Sequence, residues 1–301
     1  MAPGHPPYTH PPMGTIAAGK VVVPDFLPEP GCDEALIRGF GAEWVKFNVF
    51  TDEELDTVGP ELFDLWPDAA GRPVDTMVDI GCGSGRWTRY LASRVAYVDA
   101  LDPSEALLEA ATVHADLPNV RWTRARAEAL PFPDAAFDMA LCIGVLHHLK
   151  DPVLALREAH RVLRPGALLY FYVYYALEQR GGAYRLLFKA SDLLRRVVYR
   201  MPDRLKQAVC ELIAVLVYGP LVAVVRIAKR LGFRHWQRLP LAFYHNKSFR
   251  IMRNDALDRF GTSHEQRYTQ HAISAMLVKA GFTGVRFSDV PPYWHGTALR
   301  P

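Results

Sequence analysis

Thr76-Met77-Val78-Asp79-Ile80-Gly81-Cys82-Gly83-Ser84-Gly85-Arg86 is the stretch whose reading decides the fold. Thr76 to Ile80 reads as a buried strand, because β-branched and apolar residues run together instead of alternating with polar ones. A helix is expected at once, since Arg86 to Leu91 hold no breaker and Trp87 with Leu91 at i,i+4 form an apolar side. Strand, glycine turn and helix start together make a nucleotide site: glycines let a ligand approach the backbone, and the helix start presents unpaired N–H groups. A dinucleotide fingerprint would space the glycines as G-x-G-x-x-G. Here the third comes one residue early, at Gly85, and Arg86 stands where a dinucleotide site keeps a small residue, which disfavours a nicotinamide oxidoreductase.

Asp79-x-Gly81-x-Gly83-x-Gly85 instead resembles the first motif of class I S-adenosylmethionine-dependent methyltransferases, the bacterial, small-molecule type. In that family the turn wraps the methionine half of the cofactor, which implies Asp79, Gly81, Cys82, Gly83 and Gly85 as cofactor contacts. Outward from the turn, Ala96 to Ser104 reads as a second strand ending in Asp102-Pro103. Asp102 stands roughly twenty residues past the glycines, the offset at which an αβ unit returns a carboxylate to the same sheet edge to accept ribose hydroxyls. Asp99 competes for that role but lies inside the strand. Val120 to Arg124 reads as a third strand, and Ala127-Glu128-Ala129-Leu130-Pro131-Phe132 after it resembles the family's adenine loop. The acid that usually precedes the alanine is replaced by Arg126, which has no acceptor for an adenine amino group, so Glu128 or a backbone carbonyl has to serve.

Phe137 to Ile143 reads as a fourth strand, putting Ile143 at the cofactor edge and leading into Gly144-Val145-Leu146-His147-His148. Family members often carry Leu-His-His at this point. His147 or His148 can take a proton from an acceptor hydroxyl, or can shape the cofactor pocket as hydrogen-bonded structural residues. A helix over Val153 to Val162 and a turn at Leu163-Arg164-Pro165-Gly166 precede a fifth strand, Ala167 to Val173. At its exit Tyr174 or Tyr175 lines the acceptor site; Tyr175 joins the two histidines as the catalytic candidates.

The chain has 301 residues, half of them apolar, enough for a sizeable core, and a net charge of +3 too small to imply nucleic acid. Cys32, Cys82, Cys142 and Cys210 are scattered without zinc spacing, no secretory signal precedes them, and no cluster of carboxylates or histidines calls for a metal. The expected setting is therefore cytoplasmic. Eight prolines in the first thirty residues, with no periodic apolar face, predict a flexible arm over 1–31. Residues 32–72 read as a helical lid: Ala35, Leu36, Phe40, Trp44 and Phe47 recur at helical spacing, and a second amphipathic segment opens at Asp52 and is interrupted at Gly59-Pro60. The resemblance implies a helix closing over the cofactor here, with Trp44 and Phe47 as lid residues, and ordinary packing remains the alternative for both.

Residues 73–175 are expected to form the core, with a helical insertion at 176–262 between the fifth and sixth strands and a closing helix and strands at 263–301. In the insertion, Tyr184, Leu187, Phe188, Leu194 and Val198 suggest one helix, and Leu205 to Leu231 another, broken at Gly219-Pro220. The apolar run Leu212 to Val225 is shorter than the about twenty residues that span a bilayer. With basic residues on both sides, Arg195, Arg196, Arg200, Arg204 and Lys206 before and Arg226, Lys229 and Arg230 after, it fits a membrane surface, a lipophilic acceptor, its own core or a second subunit. Asp255, Arg259, Arg267 and Tyr268 fall in a stretch that resembles the C-terminal half of a bacterial methyltransferase group and are candidates for the substrate pocket. The implied fold is a Rossmann-like, doubly wound seven-stranded sheet with the final strand antiparallel. The implied activity is methyl transfer from S-adenosylmethionine to a small acceptor, on oxygen, either a lipophilic natural product, in the manner of secondary-metabolite biosynthesis, or a lipid-linked or sugar metabolite. C-methylation of a prenyl or polyketide substrate and a non-catalytic cofactor-binding scaffold are the alternatives.

Overall fold

The computed structural model describes residues 4–27, 51–66, 74–176, 181–261, 266–290 and 294–301. Trp44, Phe47 and the rest of the expected lid at 32–50 lie outside the described residues. The chain divides into two compact units, Met1–Val45 with Val58–Ala176 and Gln266–Pro301, and Lys46–Thr57 with Leu177–Glu265.

The first unit opens with a departure from expectation. Over 4–27 the proline-rich segment is no loose arm: β1 (Gly14–Ala18) and β2 (Val21–Asp25) pair as an antiparallel hairpin. Its prolines sit where no ladder donor is needed. Beyond the hairpin the backbone docks on the third core strand and its exit, with the Arg124 N–H on the Pro24 carbonyl at 2.9 Å and the Phe26 N–H on the Arg124 carbonyl at 2.9 Å. Ahead of it, the Tyr8 ring lies 5.6 Å from Phe132, its hydroxyl is 2.7 Å from Thr123 Oγ1, and Arg121 donates to the Pro6 carbonyl at 2.6 Å. The prolines masked this: the hairpin residues Ile16, Val21, Val22 and Val23 are apolar and β-branched, and the segment lies along an otherwise open sheet edge.

Next, α1 (Asp52–Leu62) runs straight through Gly59-Pro60, where an interruption was expected. Thr51 and Glu54 start it reciprocally, each side chain accepting from the other's backbone N–H at 3.2 Å. The carbonyl that Pro60 leaves unpaired belongs to exposed Asp56, where water can satisfy it, and the ladder resumes with Phe63 N–H on the Gly59 carbonyl at 2.8 Å. Gly59 lies against the Tyr90 ring so closely that a Cβ would fall 2.2 Å from it.

The seven-stranded sheet is built from β3 (Thr76–Ile80), β4 (Tyr97–Leu101), β5 (Val120–Thr123), β6 (Phe137–Ile143), β7 (Leu163–Tyr172), β8 (Thr283–Phe287) and β9 (His295–Leu299). Their order is β5-β4-β3-β6-β7-β9-β8, and β9 alone runs antiparallel to its neighbours, as expected. The central strands are buried on both faces: Val78, Leu141, Leu169 and Phe171 are fully inaccessible, which explains the unbroken apolar runs. Helices α2 (Arg86–Ala92), α3 (Ala106–Val113) and α4 (Pro152–Val162) connect the parallel strands. The Asp151 carboxylate caps α4 by accepting the Val153 N–H at 3.0 Å. In the other unit lie α5 (Gly182–Val198), α6 (Asp203–Ile213), α7 (Gly219–Arg230) and α8 (Phe249–Gly261). The expected break at Gly219-Pro220 does not occur. A π turn over Ala214–Tyr218 joins α6 to α7, widening the helix by one residue just where Pro220 brings no N–H. The last helix, α9 (Gln270–Lys279), returns to the sheet unit with Thr269 as its cap, accepting the Ala272 N–H at 3.1 Å.

Strand order reverses at β3, whose connection leads to β4 and β5 on one side while β6 and β7 lie on the other. In open α/β sheets such a reversal opens a crevice at the carboxyl ends of the two strands. The turns after β3 and β6 meet there.

Candidate active site

Gly81, Gly83 and Gly85 all have positive φ, at 73°, 54° and 75°, so each needs glycine on conformational grounds. Space distinguishes them. A Cβ on Gly81 would lie 2.4 Å from Val145 Cγ2, and one on Gly85 would lie 2.7 Å from the Trp122 ring, whereas a Cβ on Gly83 meets nothing within 4 Å. The outer two glycines are therefore required by packing within the protein, and the middle one faces open space that a ligand can enter. Cys82, a buried free thiol, holds the turn with its backbone: the N–H groups of Gly81 and Cys82 both donate to the Leu101 carbonyl, at 2.8 and 2.9 Å.

The strand end from which that carbonyl projects also supplies Asp102. Its carboxylate accepts the Gly83 N–H at 3.0 Å and the Ser104 N–H and hydroxyl at 2.8 and 2.6 Å, so turn and acid form one hydrogen-bonded cradle. Burial raises the Asp102 pKa, against the pull of these donors and of the Arg124 guanidinium. Pro103, half-buried beside it, gives its carbonyl to Arg124 Nε at 3.1 Å. Asp99, the competitor, is taken up elsewhere. It is fully buried and accepts Arg121 Nε at 2.5 Å, far along the strand from the glycines.

Below the turn, Asp79 is 2% exposed and accepts the Thr88 hydroxyl at 2.6 Å. Burial pushes its pKa up to about 7, with Asp102 adding to the rise. Burial drives the Cys142 thiol pKa up, with the nearby charges of Asp79 and Glu128 adding to the rise. Ala127 and Ile143 are each 8% exposed at the same edge.

Leu146–His148 form a single 3₁₀ turn after β6. His147 is fully buried, its ring stacked on Tyr174 at 3.9 Å and tilted against His148 at 4.2 Å. Among the described residues neither ring nitrogen of His147 has a hydrogen-bond partner. Its pKa is held well below the usual imidazole value by burial, then by His148 and Arg267. The turn is anchored by Gln266, whose backbone N–H donates to the His147 carbonyl at 2.9 Å and whose side chain accepts the Tyr268 hydroxyl at 2.7 Å. Arg267 lies 5.0 Å over the Tyr174 ring.

Tyr174, rather than Tyr175, meets the histidines; Tyr175 packs with Trp294, ring centroids 6.1 Å apart. Extended backbone past the end of β7 turns neighbouring tyrosines to opposite sides, and nothing local says which side carries the histidines. Of the four pocket candidates, Arg267 and Tyr268 belong to the sheet unit. Asp255 and Arg259 are engaged inside the helical unit, Asp255 by the Tyr218 hydroxyl at 2.8 Å and Arg259 by Ser191 Oγ at 3.1 Å. Thr88, Val145 and Gln266 escaped the sequence reading. Only Thr88 left a trace, as a hydroxyl on the first turn of the helix that follows Asp79.

The crevice at the switch point, the glycine cradle and the acid at the end of β4 define a nucleotide-binding α/β enzyme domain. Residues 78–171 match a family model described as a methyltransferase domain. The chain is 32% identical over 120 residues to a ubiquinone biosynthesis O-methyltransferase of Hahella chejuensis, covering 39% of this chain and 50% of that one. It is 32% identical over 166 residues to the 27-O-demethylrifamycin SV methyltransferase of Amycolatopsis mediterranei, covering 54% and 58%. A 2-phytyl-1,4-naphtoquinone methyltransferase of Nostoc is 37% identical over 115 residues, covering 34% and 50%. The chain thus spans about half the length of the curated relatives it matches. The matched residues 78–171 are thus similar to a methyltransferase domain, of the class I S-adenosylmethionine-dependent type that the glycine turn resembles, and S-adenosylmethionine is the cofactor of that class.

Proposed function

We propose that the protein transfers a methyl group from S-adenosylmethionine to a hydroxyl oxygen of a small, lipophilic acceptor. The observation that carries this reading is the cradle in which the Asp102 carboxylate holds the Gly83 N–H at 3.0 Å while the space above Gly83 stays open. The residues fit the group. In this reading Gly81 to Gly85 and Asp79 hold the amino-acid end, Asp102 accepts the ribose hydroxyls, and Ala127, Glu128 and Ile143 meet the adenine. The bound cofactor supplies an electrophilic methyl on a sulfonium, whose departure leaves a neutral thioether.

What remains for the protein is to align the acceptor oxygen and exclude water. His147, Tyr174 and Arg267 are the groups proposed for the acceptor. A buried imidazole with a depressed pKa is a neutral hydrogen-bonding group at physiological pH, so the acceptor hydroxyl is expected to be acidic enough to lose its own proton, as phenols and enols are. The oxygen preference rests on the relatives: those from Hahella chejuensis and Amycolatopsis mediterranei are both named for O-methyl chemistry. The test is isothermal calorimetry with S-adenosylmethionine and S-adenosylhomocysteine, followed by transfer of labelled methyl to a panel of phenols and quinols. Heat on binding together with label in an ether product is expected. A folded protein that shows no heat with either compound would overturn the reading.

A further inference from the structure

From Asp203 to Arg230 the helical unit carries one unbroken helical run of 28 residues. It has two apolar faces. The inward one is buried at Cys210, Ile213, Ala214, Tyr218, Val222 and Val225, and is tied down at its polar points: Tyr218 donates to Asp255 at 2.8 Å, and Arg226 donates to the carbonyls of His245 and Lys247 at 2.9 and 3.1 Å. The opposite face carries Leu212, Val215, Leu216, Val224, Ile227 and Leu231, all more than half exposed, at the three- and four-residue intervals that align side chains along a helix. No charged residue interrupts it between Glu211 and Arg226, so an apolar stripe about 30 Å long is left facing outward.

Charge says what covers it. From Leu177 to Glu265 the sequence has 17 Lys and Arg against 7 Asp and Glu, a net of +10, in a chain whose total is +3. Exposed Arg204 stands before the stripe, and exposed Arg230 and Arg234 stand at and beyond its end. A second copy of so positive a surface would repel the first, whereas an anionic bilayer complements the basic ends and accepts the apolar middle. By length and composition alone the helix could cross a membrane. Crossing, however, would carry Lys206 and the Tyr218–Asp255 pair into hydrocarbon, while lying in the interface keeps them in the protein.

We propose that the Leu212–Leu231 face is a docking surface for anionic lipid bilayers, with the helix lying in the interfacial plane. The proposal is independent of methyl transfer and is tested without cofactor, so its failure leaves that reading untouched. Full-length protein is floated with vesicles of phosphatidylglycerol and phosphatidylcholine in a 3:7 ratio, or of phosphatidylcholine alone, at low and high salt. Flotation with the anionic vesicles, weakened several-fold by high salt, is expected. Leu216→Glu with Val224→Glu should reduce it at least tenfold, with melting temperature and S-adenosylmethionine affinity unchanged. Arg230→Glu with Arg234→Glu, which leaves the apolar face intact, should remove the preference for anionic lipid. Protein that stays unbound with both vesicles, or a Leu216→Glu, Val224→Glu variant that floats like the wild type, overturns the proposal. So does a concentration-dependent dimer, seen by analytical ultracentrifugation, that the same two substitutions dissolve.

Discussion

The two turns that meet at the carboxyl edge are built on different principles. After β3 the backbone does the holding: three positive φ angles, two N–H groups on one carbonyl, and a carboxylate closing on Gly83. After β6 the backbone fixes the turn through Gln266, but the His147 ring is placed by packing alone: it is buried and stacked on Tyr174, and among the described residues neither ring nitrogen has a hydrogen-bond partner. A turn made of backbone is complete before its ligand arrives. One that buries an unpaired imidazole is held by its neighbours at a cost, and waits for something to bond.

The largest expected effect comes from the acid beneath the first turn. Folded Asp79 keeps its proton up to about pH 7, whereas an unfolded aspartate releases it near 3.8. Between those values the folded state binds more protons, so the stability this group contributes is complete below the lower pKa and is lost as pH rises through the upper one. At 1.36 kcal/mol per unit the change is of order 4 kcal/mol. Denaturant unfolding of the cofactor-free protein from pH 4 to 8 should show the decline, and Asp79→Asn, which keeps an acceptor for Thr88, should flatten it. An identical slope in both proteins would mean Asp79 is ionised when folded.

Substitutions in the glycines separate folding from binding. Gly81→Ala combines a positive φ with an overlap on Val145 and should cost about 3 kcal/mol of stability. Gly83→Ala meets no atom, so it should cost only the about 1–2 kcal/mol of the backbone conformation while losing most affinity for S-adenosylmethionine. Normal affinity in Gly83→Ala would show that the open space is not where the cofactor lies. Asp102→Ala should weaken cofactor binding by roughly tenfold to a hundredfold, the worth of a charge-assisted hydrogen bond. Calorimetry reads it directly.

The same contrast explains what could be read from the sequence. A positive φ calls for glycine whatever surrounds it, so the turn and the strand before it were legible in one short stretch, and the seven-stranded sheet with its last strand antiparallel followed from the resemblance that stretch carries. Asp102 was legible because an αβ unit fixes its offset. The acceptor side was not, because its geometry is assembled from distant segments: Tyr174 over His147, and Gln266 anchoring the histidine turn from the start of the C-terminal segment. Gly59-Pro60 and Gly219-Pro220 misled for a related reason. A proline is tolerated in a helix where the freed carbonyl finds another partner and the turn gives the ring room, and here exposed Asp56 and a π turn serve. The proline-rich start misled because a strap needs only a sheet edge to lie on, which composition does not record.

The smallest expected effect belongs to the second turn, and it separates a base from a positioning group. If His147 removed the acceptor proton, kcat would rise with pH along an imidazole titration, and His147→Gln would abolish that limb. Burial, His148 and Arg267 all hold the imidazole neutral, so no such titration should be visible at working pH. The rising limb should instead follow the acceptor's own ionisation and shift when phenols of different acidity are compared. His147→Gln, which keeps a hydrogen-bonding side chain, should leave S-adenosylmethionine affinity within about twofold and lower kcat/KM by roughly tenfold, one hydrogen bond's worth, mainly through KM. A pH profile that flattens in the variant would instead make His147 the proton acceptor, and the turn after β6 would then be chemical machinery in the full sense.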